Sequence, residues 1–188
     1  MRMTAWEARS RAGERGMSMI ELMISIVVLA VGMAGLMVLF GTAAMTNSRS
    51  KNDTTATMLA QTVLDQMAAV PANSNATITI TDCAGTANTV ATSGAASPGA
   101  GANIDANTGN IDFTQDYATV TANYKMKYTT CGPNGQRPVY DVRWNVITMT
   151  SNTRMITVSS RQSTIGGTGA TQALLYMQPI TLRTIAGM

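Results

Sequence analysis

Residues Leu22 to Ser48 form a run of 27 consecutive positions without a charged side chain. Its core, Leu22 to Phe40, reads LMISIVVLAVGMAGLMVLF and is long enough to cross a bilayer as a helix. A helix buried in a soluble core would carry a polar face, and this stretch has none. The preceding segment, MRMTAWEARSRAGERG, sets Arg2, Arg9, Arg11 and Arg15 against Glu7 and Glu14. That net positive charge holds the N-terminal end in the cytoplasm, so the remainder of the chain faces the periplasm or exterior. A cleaved secretory signal is the competing reading, with Thr42-Ala43-Ala44 offering small residues for a cut. Such signals carry an apolar stretch of roughly 7 to 15 residues, and the greater length here favours retention in the membrane.

Composition narrows the function classes further. The chain has 188 residues, 13 Lys plus Arg, 10 Asp plus Glu and no His, and charged residues make up only 12% of it. Without His the commonest neutral-pH base and metal ligand is missing, and two Cys do not build a structural zinc site. There is no nucleophile elbow, phosphate loop or paired-carboxylate setting, so an enzyme is not expected, nor is a cofactor. The length suits one domain plus the N-terminal appendage.

Glu21 does not fit a plain anchor, because Met17, Met19 and Ile20 precede it and the uncharged run follows it. A carboxylate at mid-bilayer costs on the order of 2.5 to 3.5 kcal/mol, less near the boundary. Either Glu21 reaches the headgroups, or a cationic partner arrives from another chain.

The segment Arg15-Gly16-Met17-Ser18-Met19-Ile20-Glu21-Leu22-Met23, opening an apolar helix after a short basic leader, resembles the class III signal of type IV prepilins and type II secretion pseudopilins. The resemblance is strong over about Gly16 to Ala60, with Met17 where the family usually has Phe, and faint beyond. It implies that a prepilin peptidase cuts between Gly16 and Met17, that Met17 becomes the N-methylated terminus, and that Glu21 is the fifth residue of the mature chain. In the family that Glu pairs with the terminal amine of a neighbouring subunit, so Glu21 would set the register of subunit assembly. The segment AVGMAG, with no Pro in the apolar helix, is most similar to minor pilins of the PilV type. The partners implied are other major and minor pilins, an inner-membrane assembly platform, and membrane lipid before assembly. The fold implied is α+β, a long N-terminal helix packed on an antiparallel β-sheet head. Localisation would be single-pass in the inner membrane, then in the extracellular pilus.

Beyond the apolar run, Leu59, Val63, Met67 and Val70 recur at helical spacing, and Pro71 stops the pattern. One helix is therefore expected from about Met17 to Val70, roughly 80 Å at 1.5 Å per residue. Gly32 and Gly35 in its first half permit close helix contact or are simply tolerated. The expected organisation is a leader at 1–16, an apolar assembly helix at 17–48, an amphipathic half at 49–71 and a β-rich head at 72–188.

Strands are expected at Thr77 to Thr81, Val120 to Tyr128, Val139 to Thr150, Met155 to Ser159 and Leu174 to Arg183, with Pro179 marking an edge or bulge. Alternation puts Tyr140, Val142, Trp144 and Val146 on the buried face, joined by Ile156 and Val158, and turns Asp141, Arg143 and Asn145 the other way. Residues 84–110 are dominated by Ala, Gly, Thr, Asn and Ser and are expected as low-complexity surface loop. Asp105, Asn107 and Asp112 there lack the order and closing Glu of a calcium loop, so no metal is expected. Outside the cytoplasm Cys83 and Cys131 read as one disulfide, the alternative being two free thiols. The chain-entropy model gives about 4 kcal/mol for closing such a loop. The bridge would lie farther from the C-terminus than the terminal-loop disulfide of major pilins.

Three functions fit: a minor pilin at or near a pilus tip that primes assembly and supports adhesion, twitching or DNA uptake; a minor pseudopilin of a type II secretion system; and a single-pass membrane protein with a periplasmic binding domain. Nucleic acid is carried as a further partner on weak support from Lys125, Lys127, Arg137, Arg143, Arg154 and Arg161, which a solvated β surface explains equally well.

Overall fold

The computed structural model describes residues 17–132, 135, 137–163 and 178–187. The chain divides into two compact units, Met1–Asn47 and Ser48–Met188. Helix α1 covers Met19–Ala68. In the first unit every described residue is exposed, and the few hydroxyls in the apolar run are satisfied by the helix itself. Ser25 Oγ donates to Glu21 O, Thr42 Oγ1 to Val38 and Leu39 O, and Thr46 Oγ1 to Thr42 O.

In the second unit α1 buries Ala56, Leu59, Ala60, Val63 and Met67. This is the expected face with two alanines added, whose small side chains let the helix backbone approach its neighbours. The helix ends two residues before Val70 because the Val70 amide bonds to Met67 O in a tighter turn and Pro71 follows.

The head is antiparallel throughout its strand ladders. Strands β1 (Thr77–Thr81) and β2 (Ala87–Ala91) form a hairpin. A second sheet comprises β3 (Ala100–Gly101), β4 (Lys125–Thr129), β5 (Val139–Thr150), β6 (Thr153–Gln162) and β7 (Ile180–Gly187). Its order is β3-β5-β6-β7, with β4 also on β5. Strand β5 matches its expected span, and β6 is longer than expected at both ends. Strand β4 starts later than expected because Val120–Tyr124 turns first, with the Tyr124 amide on Thr121 O and Asn123 at φ 64°. Strand β7 begins at Ile180, directly after Pro179; expected strand residues 174–177 lie outside the described residues.

Two expectations are corrected. The stretch 84–110 contains β2 and β3 and buries Val90, Ala91, Thr92 and Ala102. Its small residues permit close packing: Gly101 sits at φ +114°, and a Cβ there would run into the Trp144 carbonyl oxygen and the Tyr124 ring. Secondly, β5 is buried on both faces. Tyr140, Val142, Trp144 and Val146 join Ile156, Val158 and the buried α1 residues in one core. On the opposite face Asp141, Arg143 and Asn145 are also buried, together with Thr157 and Ser159 of β6.

Arg154 of β6 is a fully buried cation. Its guanidinium donates to Met67 O at 2.7 Å and Val70 O at 2.6 Å, where α1 ends, and to Thr92 O at 2.7 Å, just after β2. The orphan carbonyls at a helix C-terminus carry partial negative charge, and this side chain both satisfies and neutralises them. Trp144 Nε1 grips the same hairpin exit at Ala91 O, 3.0 Å away. At the other end of the hairpin the Cys83–Cys131 disulfide ties its turn to the chain after β4, with Cα atoms 5.5 Å apart. Beside it, Asp82 Oδ1 accepts the Ala84 and Thr86 amides and Oδ2 accepts the Thr129 amide. Desolvation opposes ionisation of Asp82, but these amides outweigh it and hold the carboxyl below its usual range.

Replacing Arg154 with Ala removes its donors from Thr92 O and Val70 O and leaves Met67 O with the Val70 amide alone, so Arg154→Ala should destabilise the head by on the order of 3 kcal/mol. Arg154→Lys should recover only part of the loss, because an ammonium lacks the planar fork. Denaturant unfolding of the detergent-solubilised chain, followed by Trp fluorescence, checks both; a loss under about 1 kcal/mol for the Ala variant would contradict this role.

Candidate functional site

The start of α1 is built from Ser18 onward, where the Leu22 amide donates to Ser18 O at 3.1 Å. Glu21 falls in the first turn, where a carboxylate is favoured by the helix dipole. The hydroxyl of Ser25 takes its backbone carbonyl, and among the described residues the Glu21 carboxylate has no ion pair. Met17 is described and exposed, whereas Gly16 and the rest of the basic leader lie outside the described residues.

From Leu22 through Phe40 large apolar side chains point outward on every side of the helix, including Leu22, Val28, Val31, Leu36 and Phe40. No part of this chain covers them among the described residues. An apolar cylinder of this kind needs a non-aqueous surrounding, either lipid or other apolar helices.

The head offers little catalytic chemistry. Asp105 Oδ1 accepts the Asn107 amide and Oδ2 the Thr108 hydroxyl, whereas Asp112 Oδ1 accepts the Thr114 amide and hydroxyl. Backbone and hydroxyl donors hold both carboxyls below their usual range, the Asn107 amide first for Asp105 and the Thr114 hydroxyl first for Asp112. These oxygens stabilise local turns rather than converge on one point.

Lys125, Lys127, Arg143 and Arg161 gather around the Phe113 and Tyr117 rings, but the six basic residues of the sequence do not form an open patch. Arg154 is in the core, and Arg143 is buried with its Nε and Nη2 forked onto Asp141, at 2.8 Å for Nη2 to Oδ2. Arg161 stacks on Phe113 at 4.4 Å, and Lys125 Nζ donates to Tyr117 O and Ala118 O. Only Lys127 and Arg137 among the six are exposed, which removes most of the support for a phosphate-binding surface. What sequence reading missed is the pairing of Phe113 and Tyr117 with these cations. A signal was present in Asp112-Phe113-Thr114-Gln115-Asp116-Tyr117, where each Asp caps a local turn and each following ring lands on a cation.

A model of the prokaryotic N-terminal methylation motif matches residues 11–37. The chain carries a type IV prepilin-like methylation motif. The motif spans the Gly16–Met17 junction, Glu21 and most of the exposed apolar cylinder, and leaves the head outside it. It implies processing by a prepilin peptidase and assembly with other pilins, and it belongs to structural rather than enzymatic proteins. No curated protein and no solved structure matches the chain.

Proposed function

We propose that this chain is a minor pilin subunit of a type IV pilus. In this reading prepilin peptidase cuts between Gly16 and Met17 and methylates the Met17 amine. The apolar helix then holds the subunit in the inner membrane with the head in the periplasm, until it joins the filament at or near the tip. There it primes assembly and supports adhesion, twitching or DNA uptake. The observation that carries the reading is the coincidence of the methylation motif with an apolar helix that the described residues of its own chain leave uncovered.

Glu21 gains a role at each stage. The uncharged helix from Leu22 to Asn47 runs about 39 Å at 1.5 Å per residue, longer than a hydrocarbon core of about 30 Å. At its end Glu21 can sit at headgroup level while the subunit is in the membrane. Once the helices bundle without lipid, the carboxylate needs a buried cation, and the methylated amine of a neighbouring Met17 supplies one. A misplaced subunit leaves both charges unpaired, which makes the pair a device for register. Support for a minor rather than major subunit comes from the disulfide, which ties the β1–β2 turn to the end of β4 rather than closing a C-terminal loop.

Glu21→Ala should leave membrane insertion and leader removal intact yet remove the protein from sheared filaments; normal incorporation of the variant would overturn the pairing. A deletion strain tests the assignment to the pilus. Loss of surface pili and twitching is expected, whereas normal pili with retained secreted enzymes would assign the chain to a type II secretion pseudopilus.

A further inference from the structure

Residues 103–119 lie across the sheet face opposite the apolar core, and both ends of this segment are fixed. Before it, β3 pairs with β5 and the Ala102 amide donates to Trp144 O; after it, Val120 is buried and β4 follows. Between those ends Ile111 is the only buried residue. Ile111 belongs to the head's hydrophobic cluster and Ile104 and Phe113 pack against it, and polar contacts from the sheet complete the grip. Asn145 Nδ2 donates to Ala102 O at 2.8 Å, Arg143 Nη1 to Gln115 O at 2.6 Å, and Arg183 Nη2 to Gly109 O. The Phe113 ring carries the Arg143 and Arg161 guanidiniums at 4.8 and 4.4 Å, and the Tyr117 ring lies 5.6 Å from that of Arg143.

The surface under this cover includes Asp141, Arg143 and Asn145, groups that water can solvate, while Arg183 holds Gly109 O from an exposed position at its edge. Exposing the opposite face would instead bare Tyr140, Val142, Trp144, Val146, Ile156 and Val158, at about 25 cal/mol for each Å² of apolar surface. Hydrogen bonds exchanged with water cost only about 1 kcal/mol each net. Local opening draws on regions with few buried apolar contacts, and of the two faces this one has fewer.

We infer that residues 103–119 form a strap that opens as one unit while α1 and the sheet stay folded, with Arg143 as its latch. Opening bares the buried guanidinium of Arg143 between the half-buried Arg161 and the exposed Arg183, around the single carboxylate of Asp141. The head thereby holds a charged sheet face in reserve, and the proposal is independent of how α1 is used.

Four amides inside the segment report an opening in which it unravels cooperatively as it lifts, because their bonds lie within it and break only then: Asp105 to Asn110 O, Gly109 to Asp105 O, Asp112 to Asn103 O and Thr119 to Asp116 O. Hydrogen exchange on the full chain in detergent micelles should give these four one common protection, within about threefold. That protection should be at least about a hundredfold below that of central β5 and β6 amides. Arg143→Lys should speed the four together by about tenfold and leave the β5 and β6 core amides unchanged. Should that variant fail to fold, Phe113→Leu, which keeps an apolar side chain but removes the ring from both guanidiniums, is expected to act the same way. Scattered protection among the four, protection equal to that of β5 and β6, or equal acceleration of both sets would overturn the strap.

Discussion

Along the first half of α1, apolar side chains from Leu22 to Phe40 face outward with nothing from the described residues of their own chain against them. The hydrophobic effect does not permit such a surface to remain in water, so this stretch always lies in lipid or against other apolar helices. Every other constraint on the N-terminal half follows. Backbone groups are satisfied within the helix, the hydroxyls of Ser25, Thr42 and Thr46 bond back to carbonyls of the preceding turn, and charge is pushed to the two ends. Glu21 stands at one of those ends, inside the stretch that matches the methylation motif.

The second half of α1 solves a different problem. It has a head to pack against, and it buries a narrow stripe of Leu59, Val63 and Met67 with two alanines between them. Apolar packing alone leaves the helix C-terminus with unsatisfied carbonyls inside the protein. Arg154 resolves this by drawing the helix end, the hairpin exit at Thr92 and strand β6 onto one guanidinium. The disulfide and the Asp82 carboxylate hold the far end of the same hairpin. Charge-assisted hydrogen bonds at one end and a covalent bond at the other therefore set the hairpin on the main sheet.

Sequence periodicity made much of this legible. The uncharged run, the spacing of the α1 stripe and the alternation in β5 are local patterns, and the structure follows each of them. The methylation motif is equally local, since Gly16, Met17 and Glu21 lie within six residues. The losses share one cause: they depend on contacts between distant residues through side chain and backbone. Nothing adjacent to Arg154 shows that its partners are carbonyls more than 60 residues away. Nothing in the alternation of β5 reveals that Asp141, Arg143 and Asn145 lie under a segment that precedes them in the chain. The low-complexity composition of 84–110 suggested solvent, yet small residues are what a backbone needs to pass close to Trp144 and Tyr124.

The proposed role requires that the apolar helix begin, in the working protein, at a processed and methylated Met17. Intact-mass and N-terminal fragment spectra of the protein isolated from its own membranes test this most directly. The expected product is a chain of 172 residues, 188 less the 16 of the leader, that carries one methyl group on the Met17 amine. A chain that retains residues 1–16, or one that starts after Ala44 at a secretory-type cut, would contradict it.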